Sequence, residues 1–193
     1  MLKEILSTLA IGLTLLAFLP YVLRILSGAV RPHVFSWIIW GTTTCIVFLA
    51  QLDDGGGIGA WPIGVSGLMT MGIAVLAWAR RGDITITRLD WAFFLTALLS
   101  LPFWVLTRDP LWAVIILTGV DVLGFGPTLR KSWHFPHQEN ILFFLLFLVR
   151  NVLVILALEH HSLTTVLFPA TIAFACLLLI LLVAWRRRVL EPA

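Results

Sequence analysis

The chain has 193 residues, 60% of them hydrophobic and only 12% charged, with a mean hydropathy of +1.03 and a formal net charge of +3. A water-soluble domain this short has no interior large enough to hide so much apolar side chain, so a soluble fold is excluded and the chain reads as an all-α integral membrane protein. The basic balance is explained by contact with anionic lipid and calls for no nucleic-acid partner.

Seven apolar runs approach the ~20 residues that cross a hydrocarbon core of about 30 Å: 5–26, 34–52, 58–79, 89–106, 111–129, 139–158 and 163–185. The first run is preceded by Lys3 balanced by Glu4 and passes Pro20 into Arg24 without a small-residue cleavage pattern, so it reads as a helix of the mature protein. The second holds Cys45 and the seventh Cys176, both deep within their runs, which suggests buried small residues with no disulfide or thiolate metal site. The third carries Ala60, Gly64, Gly67 and Gly72, small residues that permit close helix packing. The fourth contains an unmatched Pro102, which reads as structural.

Between the runs, Asp53-Asp54-Gly55-Gly56-Gly57 lacks calcium-loop spacing and reads as a flexible acidic turn. Glu159-His160-His161, and His134 with His137, read as loop polarity without a complete metal set. No nucleophile-base constellation, phosphate-cradling glycine loop or metalloprotease motif occurs, so neither an enzyme nor a bound cofactor or metal is expected. Ten cationic residues (Arg24, Arg31, Arg80, Arg81, Arg88, Arg130, Lys131 and Arg186 to Arg188) fall on one side of the seven runs. Lys3 and Arg108 fall on the other. This bias places the N-terminus outside and the C-terminus in the cytoplasm, as expected in a bacterial-type inner (plasma) membrane.

An internal repeat is visible. Pro20 and Pro127, Pro62 and Pro169, and the AWARR and AWRRR segments from Ala77 and Ala184 all stand 107 residues apart. That period holds four helices, an even number, so the copies run parallel through the membrane. The architecture is 3+1+3: residues 1–81 form one three-helix repeat, 82–110 an inverting linker helix and 111–193 the second repeat. Within the repeats Ser36, Trp40, Thr43 and Val47 align with Asn140, Phe144, Phe147 and Asn151 at an offset of 104.

The helix count, the topology, the parallel repeats and the P-x(3)-[RK] element at Pro20–Arg24 and Pro127–Lys131 resemble the PQ-loop, SWEET and MtN3-like transporter superfamily. Pro20 is followed by Tyr21 and Pro127 by Thr128, so the Pro-Gln dipeptide is absent. The resemblance implies a small-solute transporter working by alternating access, its solute held at the midplane between the repeats by aromatic and Asn side chains. Trp40, Phe144 and Asn151 are then the lining candidates, the alternatives being core or lipid contact for the aromatics and an interhelical bond for Asn151. It also implies that Pro20 and Pro127 are hinges; otherwise they shape helix ends.

The residues themselves add two charges to that site. Asp121 and Arg150 are the ionisable residues near the centres of the runs, where charge is costly, and Thr14 stands at the repeat equivalent of Asp121. They are expected to lie close enough to pair, either as a static ion pair or as a solute site in which Asp121 also carries a coupling proton. They favour a small polar or zwitterionic solute as partner, besides the bilayer. Arg24, Arg31, Arg130 and Lys131 anchor to lipid phosphates or gate the inner mouth, and Trp37 and Trp133 fit the interfacial aromatic belt. A homo-oligomer is compatible with the chain. The competing function is a non-transporting helper subunit or a lipid-binding scaffold.

Overall fold

The computed structural model describes residues 1–80 and 83–190. Arg81, Gly82 and residues 191–193 lie outside the described residues, and for Pro127, Lys131 and Gln138 the backbone alone is described. The helices are α1 (Leu2–Leu26), α2 (Val34–Asp53), α3 (Trp61–Ala79), α4 (Arg88–Thr107), α5 (Pro110–Gly124), α6 (Gly126–His134), α7 (Ile141–Ala157) and α8 (Leu163–Leu190). Short 3-10 turns precede α3 (Gly57–Ala60) and α7 (Pro136–Gln138). Six stretches are long and apolar enough to cross a membrane, α5 and α6 counting together as Pro110–His134. Helix α7 is apolar but has 17 residues. The chain is therefore a multi-span helical membrane protein, with seven helices among the described residues, one of them interrupted.

Several helix starts are written in the local sequence. Thr87 and Asp90 form a reciprocal capping box at α4, the Asp90 amide donating to the Thr87 hydroxyl at 3.2 Å and the Thr87 amide to the Asp90 carboxylate at 2.8 Å. Asp109 caps α5 by accepting from the Leu111 amide at 2.9 Å, with Pro110 in the first turn, where its missing N–H costs nothing. Asn140 accepts from the Leu142 amide at 3.1 Å and starts α7 two residues later than the apolar run predicts.

The two prolines expected to be equivalent hinges differ. Pro20 sits inside an uninterrupted α1, whereas Pro127 follows a break in the ladder at Phe125, whose amide bonds back to the Val122 carbonyl at 3.1 Å. Gly124 and Gly126 flank Phe125, and Pro127 offers no N–H to the carbonyl four residues earlier, so the ladder closes early and restarts. The expected continuous helix over 111–129 is thus two pieces.

Packing is selective. Helix α2 lies along α3, where a Cβ on Gly64 would meet the Phe48 ring and one on Gly67 the Cys45 sulfur, so those glycines set the close approach. A Cβ on Gly72 would meet nothing, so that glycine sets no close approach. Helix α7 lies along α8 in the same way. The α1–α3 set and the α5–α8 set meet chiefly along two seams, α1 with α7 and α2 with α5, while α4 packs chiefly on α5 and α2. The largest apolar cluster lies where the sets converge, and includes Ala10, Val47, Ala50, Leu117, Val154 and Phe168.

Candidate functional site

Between the two sets is a cavity of about 220 Å³. Its walls are aromatic, with Phe18, Trp40, Phe143, Phe144, Phe147 and Phe168 prominent. The rings pack on one another: Phe18 of α1 meets Phe147 of α7 edge-on at 5.6 Å, and within α2 Trp37 and Trp40 are edge-to-face at 5.5 Å. The polar lining is sparse: Thr44, Ser66, Thr70 and Thr128, together with Asp121 and Arg150. An apolar cavity with a few convergent polar groups is the usual form of a small-molecule site.

Of the five expected solute contacts, Trp40, Asp121, Phe144 and Arg150 line this cavity. Asn151 does not. It is completely buried, donates to the Phe147 carbonyl at 2.7 Å and accepts from Arg150 Nη1 at 2.9 Å, so it holds the guanidinium in place. Trp37, expected in the interfacial belt, stands at the cavity wall between Phe18, Tyr21 and Trp40. Trp133 is exposed, and the Arg186 guanidinium lies 4.7 Å from its ring centre, as an interfacial anchor would.

The expected Asp121–Arg150 ion pair is absent among the described residues; each charge is held by its own seam. At the α2–α5 seam the Thr43 hydroxyl donates to Asp121 Oδ1 at 3.0 Å. At the α1–α7 seam Arg150 Nε donates to the Thr14 hydroxyl at 3.2 Å, and Nη2 reaches the Pro62 carbonyl at the start of α3 at 2.8 Å. The guanidinium also lies 5.7 Å from the Phe147 ring centre. Arg150 is 2% exposed and Asp121 7%. Pairing fails because the long arginine side chain finds three neutral acceptors on its own side of the cavity. A fork with three acceptors is well satisfied without a carboxylate.

The two ends of the bundle are held differently. At the end carrying the N-terminus, bonds run between the two sets. Lys3 Nζ donates to the Leu158 carbonyl at 2.7 Å, Gln51 Nε2 to the Thr165 carbonyl at 2.7 Å, the Ile58 amide to Glu159 Oε1 at 3.2 Å and the Glu159 amide to the Gly56 carbonyl at 3.1 Å. Asp54 is joined to Ser162, and its carbonyl pairs with the His160 ring at 3.0 Å. The acidic turn expected to be flexible and the loop expected to be mere polarity are thus one ordered seam. A Cβ on Gly59 would fall on the Leu158 backbone, which shows how closely the sets approach there.

At the opposite end, among the described residues, the tertiary hydrogen bonds stay within each set or its linker. The Val34 amide donates to the Asp83 carbonyl at 2.8 Å, and the Asp83 amide to the Pro32 carbonyl at 3.0 Å. Arg186 Nε donates to the Trp133 carbonyl at 3.0 Å, and Arg187 Nη2 to the Glu139 carbonyl at 2.8 Å. The Thr85 hydroxyl and then its amide donate to the Asp83 carboxylate, holding it below the usual carboxylate range.

Thr43 and Phe147 were visible in the sequence only as repeat partners, and Phe18, Phe125 and Phe168 carried no polar signal to separate them from lipid-facing aromatics. Comparison with known proteins finds no matching family model, no matching curated protein and no matching solved structure.

Proposed function

We propose that this protein is a small-solute carrier of the PQ-loop and SWEET-like kind, working by alternating access, with its solute held in the aromatic cavity between two parallel three-helix repeats. The observation that carries the proposal is the asymmetry of the ends around that cavity. Bonds between the sets close the N-terminal end, and at the other end the hydrogen bonds that Arg186 and Arg187 make among the described residues stay within the second set. A carrier caught with one face shut has this form.

The packing supports the repeat reading. Exchanging α1 with α5, α2 with α7 and α3 with α8 turns each major contact into another: α1–α7 into α5–α2, α1–α3 into α5–α8, and α2–α3 into α7–α8. Helix α4 is then the linker. The charge bias of the sequence puts the sealed end outside and the cavity toward the cytoplasm. Asp121 offers its second oxygen to a solute ammonium or to a coupling proton, and either would relieve the cost of a buried charge. The competing helper-subunit reading would be favoured by a packed interior, and the lined cavity weighs against it.

The test is reconstitution in liposomes. A thermal-shift screen of amino acids, sugars and nucleosides should find a class that stabilises the protein, and that class should show counterflow into loaded vesicles. If nothing stabilises it and no member of the screen exchanges, the carrier reading is wrong.

A further inference from the structure

The sealed end is knit by residues of the loops and helix ends, and a further bond between the sets is made beneath them by Arg150. Its side chain rises from the middle of α7, takes the Thr14 hydroxyl of α1 through Nε and reaches the Pro62 carbonyl in the first turn of α3 through Nη2. Its other hydrogen bond among the described residues, from Nη1, goes to Asn151, the next residue of its own helix. One buried cation therefore joins the second set to two helices of the first, just inside the seal. The same side chain lines the cavity, so one face of the fork meets the seal and another meets whatever enters the site.

We propose that Arg150 is the bolt of the N-terminal end, and that an anionic group on the solute, such as a carboxylate, opens that end by drawing the guanidinium away from Thr14 and the Pro62 carbonyl. This rests on the carrier function proposed above. The chemistry favours the exchange. A carbonyl and a hydroxyl are neutral acceptors, whereas a carboxylate brings the opposite charge and binds the arginine fork through two parallel bonds. When Arg150 turns to the solute, the α1–α7 seam loses its only side-chain to side-chain hydrogen bond among the described residues, and the bonds of Lys3, Gln51 and Ile58 are left to hold the end. Solute binding and gate opening are thereby coupled through one group.

The test is a distance measurement across the sealed end. Spin labels on cysteines introduced at Asp53, the last residue of α2, and Leu163, the first of α8, report the separation of the two sets in a Cys45→Ala, Cys176→Ala background. Ligand-free protein should give one short distance. Arg150→Gln should add a longer one, with the open population raised at least about tenfold, and Thr14→Val, which removes a single acceptor, should raise it by roughly fivefold. In the unmodified site, 3-phenylpropionate should populate the long distance and phenethylamine should not, and Arg150→Gln should abolish the response to the carboxylate.

Unchanged ligand-free distances in both folded variants overturn the bolt. A response to the amine equal to that of the carboxylate, or none to the carboxylate, overturns release by an anion. Failure of the carrier function itself shows separately, as absent counterflow with the ligand-free distances still shifted by the two variants.

Discussion

The α1–α7 and α2–α5 seams are the two main contacts between the sets, and each buries one charged side chain, but the two charges are treated in opposite ways. Arg150 has all three nitrogens engaged by neutral groups, two of them on the facing set. Asp121 has one hydroxyl, from Thr43, and borders the cavity. The difference teaches that a mid-membrane charge can serve as a fastener or as a ligand. What decides is how many of its hydrogen-bonding positions the protein fills.

The largest effect should come from emptying the fastened seam. Arg150→Leu leaves the Thr14 hydroxyl, the Asn151 oxygen and the Pro62 carbonyl without their donor, and should cost about 2–4 kcal/mol of stability in detergent unfolding. Asp121→Asn, which still accepts from Thr43, should lie within about 1 kcal/mol of the parent. Equal costs would erase the contrast between the seams. A double-mutant cycle sharpens it: Asp121→Asn with Arg150→Gln should be additive within about 0.5 kcal/mol, whereas an ion pair would show strong coupling.

Function should reverse the order. Asp121→Asn should weaken binding of an ammonium-bearing solute by about 10- to 100-fold, and should abolish uptake driven by an imposed pH gradient while exchange at equal pH persists. Uptake that still follows the gradient would remove Asp121 as the proton carrier.

A steric wedge acts on the sealed end without touching either charge. Gly59→Ala sets a methyl group against the Leu158 backbone and should cost about 1–3 kcal/mol, with the labels at Asp53 and Leu163 moving apart. Retention of the short distance would mean that the end yields elsewhere.

The smallest effect belongs to the opposite end. The Asp83 carboxylate titrates below its ordinary value because Thr85 donates to it, so its contribution is present above the ordinary value and is lost as the pH falls through the depressed one. Thr85→Val should return the NMR titration of Asp83 toward the ordinary range, with no measurable change in solute exchange at neutral pH.

Much of the fold was legible because lipid imposes length and polarity on each span. The run limits at 34–52 and 58–79 agree with α2 and α3 to within a few residues when the 3-10 turn is counted. The break at Phe125 was not legible, since it depends on two glycines and a proline acting together on one hydrogen-bond ladder. At the site, Asp121 and Arg150 stood out because charge is expensive in a span, yet their separation did not. Sequence gives the cost of a charge without giving the acceptors that meet it, and Pro62, visible only as a repeat landmark, takes Arg150 through a backbone oxygen that no side chain announces.

Helix α4 has a mechanical consequence of its own. It lies over the α2–α5 seam, with Phe35 of α2 against Trp91 and Phe94 at 5.3 Å each, and Phe103 against Trp112 of α5 at 6.1 Å. Among the described residues no helix packs extensively on both α1 and α7, and it is the short turn Gly57–Ala60 that touches both. The molecule is thus bound like a book, with α4 glued along the spine and α1–α7 as the fore-edge. In the carrier proposed above, a small turn about the spine would carry the fore-edge through the longer arc, leaving Asp121 near the axis and Arg150 where the leaves travel farthest apart.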